Sequence, residues 1–342
     1  MTPKKPTFLI IGAAKSGTTT LAHILDGHPD CCFSRPKEVH FFQDTFEDVV
    51  NPSICAAPAA SRSAAWSTLS VDIYNSINPN YAKGWDWYQT AWSHYQGEPV
   101  VGEGSTAYSD RTNFPLTASR IHRFNPKMKI IYMVREPLAR MISLWQMLYR
   151  QSYDRPRRSL DALREQARKG FGSFLTAPVC RTIWEQTRYH YQLEAYLKLF
   201  PREQVLVSFL QDFEKDQHGE VNRILEFLGL DPSKIDNHVD VALNVGDKAL
   251  RHSNLQRIIV ASGLRPLLRS LAGPKRWEQL AAKYAWRAYP PAVPEITSAT
   301  LEGFLAYVRE DNQAFLKDWG KPSNYWTPAK VTLLDSQTAP NC

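Results

Sequence analysis

Phe8-Leu9-Ile10-Ile11-Gly12-Ala13-Ala14-Lys15-Ser16-Gly17-Thr18-Thr19-Thr20-Leu21 is the stretch that decides the fold. Its first four residues are an unbroken apolar run, the mark of a strand buried on both faces. Gly12 to Gly17 follows as a loop of small residues carrying one lysine, Lys15. Beyond it, Leu21, Ile24 and Leu25 fall at i, i+3 and i+4, which predicts a helix lying back on the sheet. A strand, a glycine loop and a helix N-terminus make an anion cradle, because unpaired N–H groups and the positive end of the helix dipole meet there.

Two details of the loop narrow its ligand. Gly12 and Gly17 keep the spacing of the nucleotide-triphosphatase loop G-x-x-x-x-G-K-[ST], and Thr19 keeps its last position. Thr18 stands where that loop has lysine, so the cation at Lys15 approaches from a different side. Three classes remain open on the loop alone: a phosphosulfate enzyme, a P-loop kinase, and a non-catalytic phosphate or nucleic-acid binder.

The bulk numbers trim this set. With 342 residues, 43% hydrophobic and 12% aromatic, the chain can bury a large core. Forty-one basic against 34 acidic residues give +7, which suits an anionic ligand. Basic residues come in pairs such as Lys4-Lys5 and Arg157-Arg158 and never as a dense block, so no nucleic-acid partner is expected. The five cysteines form no C-x-x-C pair and are expected as reduced thiols, with no metal site. No apolar leader precedes the first strand and no run reaches 18 apolar residues, so the expectation is a cytoplasmic protein with no membrane contact.

Further along, Pro36-Lys37-Glu38-Val39-His40-Phe41-Phe42-Gln43 offers a lysine, a carboxylate and an imidazole within four residues. In an extended segment Glu38 and His40 share one side, and Lys37 and Val39 the other. Residues 44–98 read as an insertion: Ala, Ser and Pro first, then Trp66, Tyr74, Tyr81, Trp85, Trp87, Tyr88, Trp92 and Tyr95. Such rings suit a lid or an acceptor pocket. Val100 to Tyr108 reads as a strand ending in a small-residue loop, and Lys129 to Val134 as a strand running through Arg135-Glu136-Pro137 into a helix marked by Leu138, Met141, Trp145 and Leu148. Pro137 suits a first helical turn. Arg135 then stands at a strand's end and Ser143 about two turns into the helix, an arrangement able to fork onto a phosphate. Arg140 and the basic run 150–180 are expected in solvent. Val205 to Leu210 reads as a fourth strand, and 219–228 as a helix ended by Gly229.

Lys15-Ser16-Gly17-Thr18-Thr19 after an apolar strand resembles the 5′-phosphosulfate loop of sulfotransferases that use 3′-phosphoadenosine 5′-phosphosulfate (PAPS). Lys37-Glu38-Val39-His40-Phe41-Phe42 is similar to the segment bearing the catalytic glutamate in heparan-sulfate-type sulfotransferases and their soluble bacterial relatives. The resemblance implies that Glu38 is the general base, with His40 orienting it or sharing its role, and that Lys15 stabilises the leaving nucleotide. It implies that Ser16, Gly17, Thr18 and Thr19 hold the phosphosulfate, and that Arg135, Ser143, Lys248 and Arg251 bind the 3′-phosphate. PAPS would be co-substrate and adenosine 3′,5′-bisphosphate the product, with no metal needed. Heparan-type enzymes carry a lysine on the acceptor side where this chain has Gly104, which points to a small-molecule or less acidic saccharide acceptor. The expected architecture is a P-loop-type α/β fold: one parallel sheet flanked by helices on both faces, in a single domain over 7–326, with 327–342 as a tail.

Overall fold

Strand β1, Phe8–Gly12, lies buried along its whole length at the middle of a five-stranded sheet. The computed structural model describes residues 5–43, 80–152, 161–235, 250–252, 286–288 and 292–334, with backbone alone for 161, 250–252 and 286–288. In chain order, β1 leads to α1 (Thr18–Asp26), β2 (Cys31–Phe33), α2 (Gly84–Tyr88) and β3 (Val100–Glu103). Next come α3 (Thr117–Phe124), β4 (Lys129–Val134), α4 (Pro137–Gln151), α5 (Asp161–Lys169), α6 (Phe171–Thr176), α7 (Arg181–Glu185) and α8 (Tyr189–Leu197). The rest are β5 (Val205–Phe209), α9 (Leu210–Lys215), α10 (Gln217–Leu228), β6 (Leu250–His252), β7 (Trp286–Ala288), β8 (Glu295–Thr297), α11 (Ser298–Asp318) and β9 (Thr332–Leu334). The sheet runs β2-β3-β1-β4-β5, with every pairing parallel.

Alternation along the strands builds two cores. Leu9, Ile11, Ile130, Tyr132 and Val207 face one side, where Tyr189 and Leu193 of α8 and Phe315 of α11 meet them. Phe8, Ile10, Ile131, Met133 and Leu206 face the other, against Leu21, Ile24 and Leu25 of α1 and Ile224 and Leu225 of α10. Each such side chain is stabilised by about 1.5–3 kcal/mol on burial, so a one-residue slip of register would expose a whole set. A third cluster packs α4 to α7 against α11 through Leu138, Trp145, Phe171, Ile183 and Phe304.

Local signals explain the element ends. Pro137 opens α4, and the Glu136 carboxylate caps it by accepting from the N–H groups of Leu138 and Ala139. Gly229, at φ 79°, ends α10 in the left-handed conformation that glycine adopts freely. At the exit of β1, Gly12 has φ 152°, and a Cβ there would lie 2.2 Å from Ser109 Oγ, so the chain needs glycine.

Two expectations need correction, and one element went unread. The edge strand β2 carries no sequence signal, being three residues long beside prolines. The segment after Trp326 is not a loose tail: Ala329 N–H donates to Glu136 Oε2 at 3.2 Å, and β9 pairs in parallel with β8; residues 335–342 lie outside the described residues. Of the 44–98 insertion only 80–98 is described. There Tyr88 and Trp92 are fully buried core side chains rather than lid contacts.

Candidate active site

The cradle forms at the carboxyl end of β1. Gly17 (φ 87°) caps α1 with no side-chain hydrogen bond, and Lys15 takes φ 70°, so the loop turns tightly and leaves the first amides of α1 free for a ligand. Ser16 is fully buried, and among the described residues its hydroxyl has no partner. Thr18 is buried and Thr19 is exposed. Burial holds the Lys15 ammonium below the usual lysine value, and the charges of Arg135 and then Arg150 add to that. Three cations act on one another here, and a bound anion would relieve them. Phosphate or phosphosulfate therefore fits the chemistry of the cradle.

Arg140 backs the loop from inside. It is 1% exposed, contrary to its expected solvation, and its Nε donates to the Ala14 carbonyl at 3.0 Å. Its Nη2 donates to Gln186 Oε1 at 2.8 Å, and Gln186 Nε2 donates to the buried Asp110 at 2.7 Å. Arg135 sits between β4 and α4, with Nη1 3.5 Å from the Lys15 carbonyl and its own carbonyl accepting from Tyr189 Oη at 2.7 Å. Ser143 is half-buried in the second turn of α4.

Beside the cradle stand Lys37, Glu38 and His40. Lys37 Nζ donates to Thr18 Oγ1 at 3.2 Å and to Glu38 Oε1 at 3.0 Å. Glu38 Oε2 lies 3.5 Å from His40 Nε2, and the carboxylate side chain is 35% exposed. Thr106 Oγ1 donates to the same oxygen at 3.4 Å. The extended reading of this segment fails, since His40 has φ 56°. Lys37, in a bend over residues 35–37, turns its ammonium to Glu38 instead of pointing away. Burial pushes the His40 imidazole below the ordinary histidine value, opposed by the Glu38 charge, which keeps it neutral and able to accept a proton at neutral pH.

A residue without an assigned role in the sequence holds this segment in place. Glu103, fully buried at the end of β3, accepts from Tyr88 Oη at 2.7 Å and Tyr108 Oη at 2.6 Å. It also accepts from Ser105 Oγ at 3.0 Å and Val39 N at 3.2 Å. Ser105 Oγ in turn accepts from His40 N at 3.0 Å. Nothing in Val100 to Tyr108 distinguishes this glutamate from a strand-end surface carboxylate. Arg150 was equally hidden, because its reach to Lys15 depends on the path of α4.

A cavity of about 530 Å³ opens on Glu38 and His40, with Trp87, Asp110, Leu144 and Met147 among its walls. Lys248 lies outside the described residues. Arg251 lies in β6, which pairs with β7 apart from the central sheet. Among the described residues no group of three His, Cys, Asp or Glu side chains could hold a metal ion, and no helix is long and apolar enough to cross a membrane.

A parallel sheet with a cationic glycine loop at its carboxyl edge and a carboxylate alongside defines a class of phosphate- or phosphosulfate-handling α/β proteins. Residues 5–265 match the family described as "Sulfotransferase domain", and the chain belongs to that family. It is 28% identical over 236 residues to heparan sulfate glucosamine 3-O-sulfotransferase 6 of Homo sapiens, covering 68% of this chain and 55% of the relative. It is 25% identical over 261 residues to carbohydrate sulfotransferase 15 of Rattus norvegicus, covering 66% and 44%. The chain thus spans about half the length of these curated relatives. A solved sulfotransferase from Alicyclobacillus acidocaldarius aligns over 76% of this chain and 91% of its own, with 26% identity and a TM-score of 0.49.

Proposed function

We propose that this protein moves the sulfuryl group of PAPS to a hydroxyl or amine of a small-molecule or saccharide acceptor. The Ser16 to Thr19 amides, the Ser16 hydroxyl and Lys15 hold the 5′-phosphosulfate. Arg135 and Ser143, with Lys248 and Arg251, hold the 3′-phosphate. Glu38 takes the acceptor's proton as the acceptor atom bonds to sulfur. The bond between sulfur and the phosphate oxygen breaks, and adenosine 3′,5′-bisphosphate leaves while Lys15 offsets its growing charge. His40 orients Glu38 or shares the base role. Saccharides are what two relatives are named for, and they enter here as one acceptor class.

The observation that supports this reading most is the Lys37 ammonium, which bonds Thr18 of the cradle and Glu38 at once. The candidate base therefore stands next to the place where the transferred group would sit. Calorimetry with adenosine 3′,5′-bisphosphate and with ATP-magnesium tests the donor. Tight binding of the bisphosphate, weakened in Lys15→Ala and Arg135→Ala, is expected; selective binding of ATP-magnesium would favour a kinase and refute the proposal. Glu38→Gln should keep bisphosphate affinity and lose turnover.

A further inference from the structure

The cavity beside Glu38 has a largely apolar wall. Leu144, Met147 and Leu148 of α4 form one wall, continued by Leu163 of α5, Ile183 of α7 and Phe114. Leu144 and Met147 are half-buried, so their apolar surface is turned to the open space rather than sealed in the core behind it. Helices α4, α5 and α7 present this wall because the same elements share the third hydrophobic cluster, with the cavity at its margin.

Among the described residues the charges on the cavity are few and engaged. Arg35 pairs with Asp26 at 3.3 Å and is 65% exposed. Lys83 donates to Asn80 Oδ1 at 2.9 Å and lies 4.4 Å from the Trp87 ring centre. Against these two cations stand two carboxylates, Glu38 and Asp110. A polyanionic chain would bring several charges to a wall whose described cations are both engaged, and would press its hydroxyls on leucine and methionine at a desolvation cost. A hydroxyl carried on an apolar body reverses both terms: the body covers the α4 wall, and the hydroxyl is left at the polar end with Glu38. At about 530 Å³ the space suits a single drug-sized molecule.

We infer that the acceptor is a hydroxylated molecule with an apolar body, aromatic or aliphatic, seated on Leu144 and Met147 with its hydroxyl toward Glu38. This rests on the sulfotransfer reading and specifies its acceptor.

The test uses the full chain with labelled PAPS and three acceptors: 2-naphthol, 1-dodecanol and an N-sulfated heparosan hexasaccharide. Adenosine 3′,5′-bisphosphate affinity is measured alongside. Sulfation of naphthol or dodecanol, with KM at least tenfold below that of the hexasaccharide, is the expected result, and the two alcohols separate an aromatic from an aliphatic body. Leu144→Glu and Met147→Glu should raise that KM at least tenfold with bisphosphate affinity unchanged, which also shows that the variants fold. Sulfation of the hexasaccharide alone, or of neither alcohol, with bisphosphate binding intact overturns the acceptor class and leaves the donor reading standing. Failure of the wild-type protein to bind the bisphosphate overturns both. As a readout independent of the donor, 1-anilinonaphthalene-8-sulfonate should bind the wild-type cavity and lose affinity in Met147→Glu; equal binding to both proteins counts against the apolar seat.

Discussion

Replacing Glu103 by glutamine exchanges one carboxylate oxygen for an NH2 group and should loosen the segment that carries Glu38. In the native protein one carboxylate oxygen accepts from two tyrosine hydroxyls and the other from Ser105 Oγ and Val39 N. The amide keeps one oxygen and sets an NH2 group where the other stood, so two of the four donors face a donor. Each orphaned buried donor costs about 1–3 kcal/mol. The Ser105 hydroxyl can turn, but its oxygen already accepts from His40 N, and the Val39 N–H cannot turn at all. The expected loss is therefore about 2–4 kcal/mol, a large part of a typical stability of about 5–15 kcal/mol. Urea unfolding with a slope of about 3 kcal/mol/M should show a midpoint lowered by about 0.7–1.3 M. Burial pushes the Glu103 carboxyl above the usual carboxylate range. The native protein then binds more protons than the unfolded chain between the ordinary and the raised pKa, so this group's contribution declines as pH rises through that window. The gap between wild type and Glu103→Gln should narrow accordingly. A midpoint shift under about 0.2 M at neutral pH would show that the four-donor cluster does not anchor the segment.

Lys15 loses its proton earlier than an ordinary lysine at about 10.4. Bisphosphate binding should accordingly be accompanied by proton uptake on the alkaline side, seen as a buffer-dependent calorimetric enthalpy and absent in Lys15→Met. Arg140→Met leaves the Ala14 carbonyl and Gln186 without their donor. It should cost about 2–4 kcal/mol of stability and weaken bisphosphate binding about tenfold, worth about 1.4 kcal/mol; unchanged affinity would mean that the loop holds its shape unaided. Lys37→Met cuts the link between Thr18 and Glu38, and kcat should fall up to about 100-fold, as for a catalytic group misplaced by about 1 Å, with melting temperature little changed.

The central sheet was legible because its strands are apolar runs that need burial on both faces, and Leu21, Ile24 and Leu25 marked the face of α1 that lies on the sheet. The short strand β2 was not, because three residues carry no periodicity and only the edge of β3 makes them a strand. At the candidate site, Lys15, Glu38 and Arg135 were found through loop chemistry and strand ends. Their supports escaped notice, since Glu103 and Arg140 act from burial, and burial belongs to the packed chain rather than to the local pattern. Lys37 departs from its reading for a related reason: alternation of side chains holds only where the backbone is extended, and residues 35–37 form a bend.

The contact between Ala329 and Glu136 bears on anyone who would trim this protein for expression. A cut at residue 265, where the family match stops, would discard α11 and strip Phe315 from the side of the sheet that α8 also covers. A cut after Trp326 would keep that packing but leave the α4 capping carboxylate one donor short, one residue from the arginine proposed for the 3′-phosphate. A fragment ended after Trp326 would then loosen the start of α4, beside the proposed nucleotide site, for a reason lying 193 residues away.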